Sequence, residues 1–357
     1  MKIVFNGGGM RALTLALLVG CHAGGSGTDD TDTSGLDAGA VAEVIEIYAE
    51  IARASYEDSR GGAEAIEAAN AIFLASPNET TLAAARTAWL EAREPYLRTE
   101  VFRFYGGPID AVSPPGPEGR INSWPLDEVY LDYVSDPLNP GVPRIGGIVN
   151  DPVGYPEITA EALVSWNQPQ SQGETAVAAG YHAIEFLLWG QDLSADGPGD
   201  RPASDYVEGV GPGETARRGQ LLAAASALLV TDLQSVADAW QPGSDWRTSL
   251  SALPPAEALG KVLTGLGSLS GAELAGERMQ VAYDSQSQED EHSCFSDNTH
   301  RDIVGDAEGM RDLYLGTYAR MGGTEVSGPS LHDLLTATDP ALAEELAAAF
   351  EDSVAKA

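Results

Sequence analysis

Cysteine is nearly absent from this chain: Cys21 and Cys294 are the only two in 357 residues. One of them lies in the targeting region, so no disulfide is expected within the mature chain, and no zinc finger can be built from the other. Basic residues are scarce as well. Twenty Lys and Arg stand against 54 Asp and Glu, a formal net charge of −34. Nucleic acid requires a basic surface, and so does electrostatic adhesion to anionic lipid, so neither partner is expected. An acidic field attracts cations and basic partners instead. Beyond the N-terminus no stretch reads as the ~20 apolar residues that a bilayer-spanning helix needs. Alternating β-branched runs are few, which argues against sheet. Several enzyme signatures are also missing. A zinc-protease His-Glu-x-x-His fails because Ala183 follows His182, and the inverted His-x-x-Glu-His fails because residue 186 is Phe. No Gly-x-Ser-x-Gly elbow or P-loop is present.

What is present begins with a targeting segment. Lys2 and Arg11 form a positive region, Ala12 to Gly20 a short apolar core, and Leu18-Val19-Gly20-Cys21 resembles a lipobox. Residues 1–21 are therefore expected to be a lipoprotein signal, with Cys21 lipidated and anchoring the body to a membrane. His22 after Cys21 points to the outer membrane, facing the periplasm, in a Gram-negative host. Residues 22–37 are rich in Gly, Ser, Thr and Asp and read as a flexible tether.

The remainder is all-α in its composition, dominated by Ala, Leu and Glu. Helices are expected at about 39–59, 79–104, 172–189, 214–239, 255–282, 299–316 and 330–354. Prolines from Pro108 to Pro143 break the chain between residues 106 and 170, leaving a long irregular Pro/Gly-rich connection in the N-terminal half. A second break falls at 191–213. The expected architecture is two helical bundles, residues 38–200 and 201–357.

Chemistry concentrates in two places. The first is Gly180-Tyr181-His182-Ala183-Ile184-Glu185. His182 and Glu185 share one face of a helix that is apolar on most sides. Such a helix is normally buried. A buried carboxylate needs a counter-charge or a bound cation, although a plain His182–Glu185 hydrogen bond is the simpler reading. The second is the run from Gln288 to Asp302, with five carboxylates, two histidines and Cys294. Carboxylate plus imidazole suits iron, manganese or zinc. The candidate ligands are His182 and Glu185, with Glu100, Glu289, His292, Asp297 and His300 chosen by chemistry and region. Arg93 is a candidate anion or carboxylate partner, with a structural ion pair as the simpler reading.

The Gly-x-His-x-x-Glu run, the segment from Glu289 to Asp302, and Trp89-Leu90-Glu91-Ala92-Arg93 with Glu100 and Trp124-Pro125 together resemble the imelysin (M75 peptidase) family, in its iron-regulated lipoprotein and insulin-cleaving membrane protease-like branch. The resemblance covers about residues 38–355. It implies two helical bundles with the His-Glu helix near the groove between them. It also implies a metal-binding envelope protein serving iron acquisition, holding a divalent or ferric ion, with iron favoured and zinc as the alternative. The family's catalogue name implies a second reading, a metallopeptidase with Glu185 or Glu289 as base. A third is a scaffold for a periplasmic redox or transport partner or a basic peptide.

Overall fold

The computed structural model describes residues 36–136, 138–139, 141–194 and 196–357. The lipobox with Cys21, and residues 22–35 of the expected tether, lie outside the described residues. The fold is all-α: 62% of the described residues are helical, and among them there are few short strands and no closed sheet. Its strands form two small antiparallel hairpins, Val134–Ser135 with Pro143–Arg144 and Thr317–Ala319 with Glu325–Ser327.

Helix α1 (Ala38–Ala75) starts at Asp37, whose carboxylate accepts the Ala40 N–H at 2.8 Å. It was expected to end near Ser59 but runs on through Gly61-Gly62. The reason is packing. A Cβ on Gly62 would lie 2.9 Å from the Ala92 Cβ, so glycine here lets the next helix lie close. That helix, α2 (Glu79–Leu97), is capped by Asn78 in a reciprocal capping box with Thr81. It ends at Leu97 rather than near residue 104, giving way to a 3₁₀ turn over Glu100–Phe102.

The segment from 106 to 170 holds only short helices, Glu118–Ile121, Glu128–Leu131, Gly147–Asn150 and Ala160–Trp166, besides the first hairpin. Helix α3 (Gly180–Trp189) starts later than the expected residue 172. Residues just before it are extended and pinned to the irregular segment. The Thr175 carbonyl accepts Asp127 N–H, and Asn167 Oδ1 accepts Ala178 N–H, both at 2.8 Å. Gly180 itself has φ +90°, and a Cβ there would lie 2.5 Å from the Ile121 carbonyl oxygen.

Then come α4 (Thr215–Ala239) and α5 (Pro255–Ser268). The latter continues as a π-helical stretch, Leu269–Gln280, and a last α turn, Val281–Ser285. After α6 (Thr299–Leu315), the single helix expected at 330–354 is two, α7 (Leu331–Thr336) and α8 (Pro340–Lys356), divided ahead of Pro340.

Against the expectation that no later stretch could span a bilayer, α4 is long and apolar enough by length and composition. Most of its apolar face is buried, and Asn70 of α1 donates to its Ser226 at 2.9 Å, so it reads as a core helix. Helices from both sides of residue 200 share this core: α1 packs along α2 and α4, α3 along α2 and α4, and α6 along α2.

Candidate metal-binding site

Every residue of α3 is buried, His182 and Glu185 included. Trp89 of α2 holds the helix by donating its indole N–H to the Tyr181 carbonyl at 2.9 Å. His182 Nδ1 lies 2.9 Å from Glu185 Oε2. The other carboxylate oxygen, Oε1, accepts the Ser296 N–H at 2.9 Å and its hydroxyl at 2.6 Å. The acidic segment is thus packed directly on α3.

A second imidazole comes with it. His292 Nδ1 is 2.7 Å from Asp302 Oδ2, and that oxygen also accepts from Ser293 Oγ at 2.6 Å and from Arg93 at 2.8 Å. Arg93 is fully buried among the rings of Trp89, Tyr96 and Tyr181, and its other terminal nitrogen donates to Asn122 Oδ1 at 2.6 Å. Of its two readings, the structural ion pair is the one found, with Asp302 as the partner. The His182 and His292 rings stand 4.8 Å apart at 70°, with Trp124 5.0 Å from His182 on another side.

The electrostatics follow from burial. It pushes His182 well below its ordinary value, with His292 and Arg93 adding to the effect, so the ring is neutral. His292 is lowered to about 4 by burial and by Arg278. Burial alone would raise Asp302, but Arg93 and His292 hold it well below the carboxylate range. Glu185 is pushed up to about 8 by burial, in spite of Ser296 and Arg93. When Glu185 is ionised, Nδ1–H of His182 donates to it and Nε2 carries a lone pair. That Nε2 is buried and has no partner.

Glu100 sits in a neighbouring network. Its Oε2 accepts from Arg103 and from Arg278, each at 2.5 Å, and these two hold it at about 2 against its burial. Arg278 also donates to Asp306 at 2.7 Å, yet burial lifts Asp306 to about 8. Between this network and the imidazoles opens a cavity of about 450 Å³, whose lining includes Arg103, Asn122, Trp124, Arg278, Glu289 and His292.

Asp297 and His300 are elsewhere. They line a second cavity of about 570 Å³ with Asp196 and Glu291. Among the described residues no three His, Cys, Asp or Glu side chains gather as a group that could hold a metal ion. The seven candidate ligands are therefore not assembled into one cage. Two imidazoles meet, Glu185 stands behind one of them, Glu289 borders the cavity, Glu100 is held by Arg103 and Arg278, and Asp297 and His300 line the second cavity. Cys294 is buried, its thiol pushed up by burial. The residues missed were Asp302, Ser296, Asn122, Arg278 and Asp306.

Comparison with known proteins bears on this arrangement. Residues 52–357 match the imelysin (peptidase M75) family model. An iron-regulated protein A of Synechococcus elongatus is 28% identical over 304 residues, 82% of this chain and 68% of that protein. A crystal structure assigned to an iron-regulated protein A precursor from Parabacteroides distasonis superposes with a TM-score of 0.64 at 17% identity, covering 89% of this chain and 85% of that one. An imelysin-like protein from Psychrobacter arcticus gives 0.52 at 17% identity, covering 90% and 85%. At such identities the structures share the fold.

Proposed function

The chain belongs to the imelysin family, and on that premise we propose that it is a lipid-anchored envelope protein that binds a transition-metal ion, iron by preference, between His182 and His292. The observation that carries this reading is the partnerless, buried Nε2 of His182 beside a second imidazole whose Nδ1 is likewise held by a carboxylate. Carboxylates that grip Nδ1 orient a histidine and free Nε2 for a metal. Glu185 and Asp306 are both pushed up to about 8, by burial first, and a cation bound nearby would favour their ionised forms. The residues present fit an ion held by two imidazoles with solvent or cargo in its remaining positions, and do not fit a closed protein cage. Iron is favoured because imidazole suits it and because the Synechococcus relative is named as iron-regulated. Zinc is the alternative. The lipid anchor rests on Leu18-Val19-Gly20-Cys21.

The peptidase reading is weaker at this site. Glu185, its first candidate base, has both oxygens engaged by His182 and Ser296. Glu289 remains as the second. Elemental analysis of the purified protein, followed by incubation with a peptide library, tests the proposal. Bound iron without cleavage supports it, chelator-sensitive cleavage supports hydrolysis instead, and a metal-free protein unable to take up metal overturns both.

A further inference from the structure

The cavity beside His292 is built for something larger than an ion. Its carboxylates are Glu118, Glu273, Glu277, Glu289 and Asp290, and its two cations are Arg103 and Arg278. Both cations are already committed. Arg103 pairs with Glu100 and Glu118, and Arg278 with Glu100, Glu273 and Asp306. Glu277, Glu289 and Asp290 make no ion pair among the described residues and face the cavity with uncompensated charge. Glu289 is raised, by partial burial first and then by the carboxylates of Asp192 and Asp290, as expected where negative charge lacks an answer. An anionic ligand is thereby excluded. A bare metal ion is disfavoured too, because these carboxylates do not gather on one point.

Two further features define the ligand. Trp124, Pro125 and Val281 give the lining an apolar side. Asn122, which is 3% exposed and borders the same cavity, has its Oδ1 taken by Arg93 and its Nδ2 without any acceptor. A buried amide donor left unpaired is costly, so an acceptor is called for. We propose that this cavity binds a basic amino-acid unit: an ammonium or guanidinium among Glu277, Glu289 and Asp290, its carbon chain along Trp124 and Pro125, and a carbonyl oxygen on Asn122 Nδ2. The source is either a free amino acid or a peptide segment. The inference goes beyond the metal reading and does not rest on it.

Calorimetric titration of the purified full chain decides it. The probes are free arginine, Nα-acetyl-arginine amide, a tri-arginine peptide, Nα-acetyl-glutamate amide and Nα-acetyl-norleucine amide. Arginine-containing probes are expected to bind, more weakly at high salt, with a change in tryptophan fluorescence. Binding of free arginine as tight as that of the amide indicates the free amino acid, and binding of the amide and peptide alone indicates a peptide. Glu277→Gln with Asp290→Asn should weaken binding by at least about tenfold, the loss of one charge-assisted hydrogen bond. Asn122→Ala should weaken it too, and Asn122→Asp should not restore it, since a carboxylate donates nothing. Failure of every arginine probe, equal binding of the norleucine amide, or unchanged affinity in the double variant would overturn the proposal. None of these readouts involves a metal, so their failure leaves the metal reading standing.

Discussion

His182 of α3 and His292 of the acidic segment face each other with ring centroids 4.8 Å apart, and each has its Nδ1 held by a buried carboxylate, Glu185 or Asp302. The two pairs are not equivalent. Asp302 is ionised because Arg93 neutralises it, whereas Glu185 has only Ser296 as a direct donor besides His182 and is pushed up to about 8. One imidazole is thus locked in place by an ion pair, and the other rests on a carboxyl whose charged form burial disfavours.

The Arg93–Asp302 pair is the structural anchor of the site. Both side chains are fully buried. Asp302→Ala leaves a guanidinium without its counter-charge and should cost about 3–5 kcal/mol of unfolding free energy. Replacing both partners, Arg93→Met with Asp302→Leu, should recover much of that loss. Urea unfolding of the native protein and both variants measures it, and a D302A midpoint equal to that of the native protein would contradict the assignment.

Gly180 sets the entry of α3. A side chain there meets two carbonyl groups, Arg120 and Ile121, from a backbone conformation at φ +90°. Gly180→Ala should therefore destabilise the fold by about 1–3 kcal/mol from backbone strain alone. Thermal melts read the effect, and an unchanged midpoint would show that α3 can start otherwise.

The pH dependence of stability has a definite sign. Glu185 and Asp306 are raised from the ordinary carboxylate values of 4.5 and 3.8 to about 8. Each favours the folded state most below its unfolded value, and that contribution is lost as pH rises through about 8. The two lowered imidazoles act in the opposite direction, but only below their ordinary value of 6.5. Between pH 6.5 and 8 the metal-free protein should therefore lose stability, and Glu185→Gln should flatten the slope. Denaturant midpoints across that window test this. A rise in stability toward pH 8 would show that the carboxyls are ionised in the fold.

The Cys21 anchor gives a separate prediction. Native protein should partition with membranes and carry acyl chains at its N-terminus, and Cys21→Ser should be found in the soluble fraction or remain unprocessed. An N-terminal peptide that starts after residue 21 without lipid, seen by mass spectrometry, would rule the anchor out.

The sequence made α3 and its polar pair legible because an all-round apolar helix has no ordinary place for His182 and Glu185. It also put the acidic run beside them. It could not say which histidine of that run turns inward. A tight turn, closed by Asn298 N–H on the Ser293 carbonyl at 3.1 Å, sends His292 and Ser296 to α3 and leaves Asp297 and His300 on the other cavity. Asp302 read as an acid in the first turn of a helix, a common surface position. Arg278 was hidden for a different reason. The expected α-helix over 255–282 becomes π-helical from Leu269 to Gln280, and that shift in winding turns faces that a 3.6-residue period would place elsewhere. Glu100 was read as a ligand for its carboxylate, but two arginines, Arg103 nearby in sequence and Arg278 far along the chain, claim it first.

The central claim is that a metal ion is held by His182 and His292. Its most direct test is calorimetric titration of the native protein with ferrous and zinc ions beside His182→Ala, His292→Ala and Glu185→Gln. The account predicts one ion per native chain, loss of most binding in each histidine variant with helicity retained, and about 10–100-fold weaker binding in Glu185→Gln, the usual cost of losing a carboxylate that orients a ligand. Equal binding by all four proteins, or none by the native chain, would contradict it and leave both imidazoles as parts of the core.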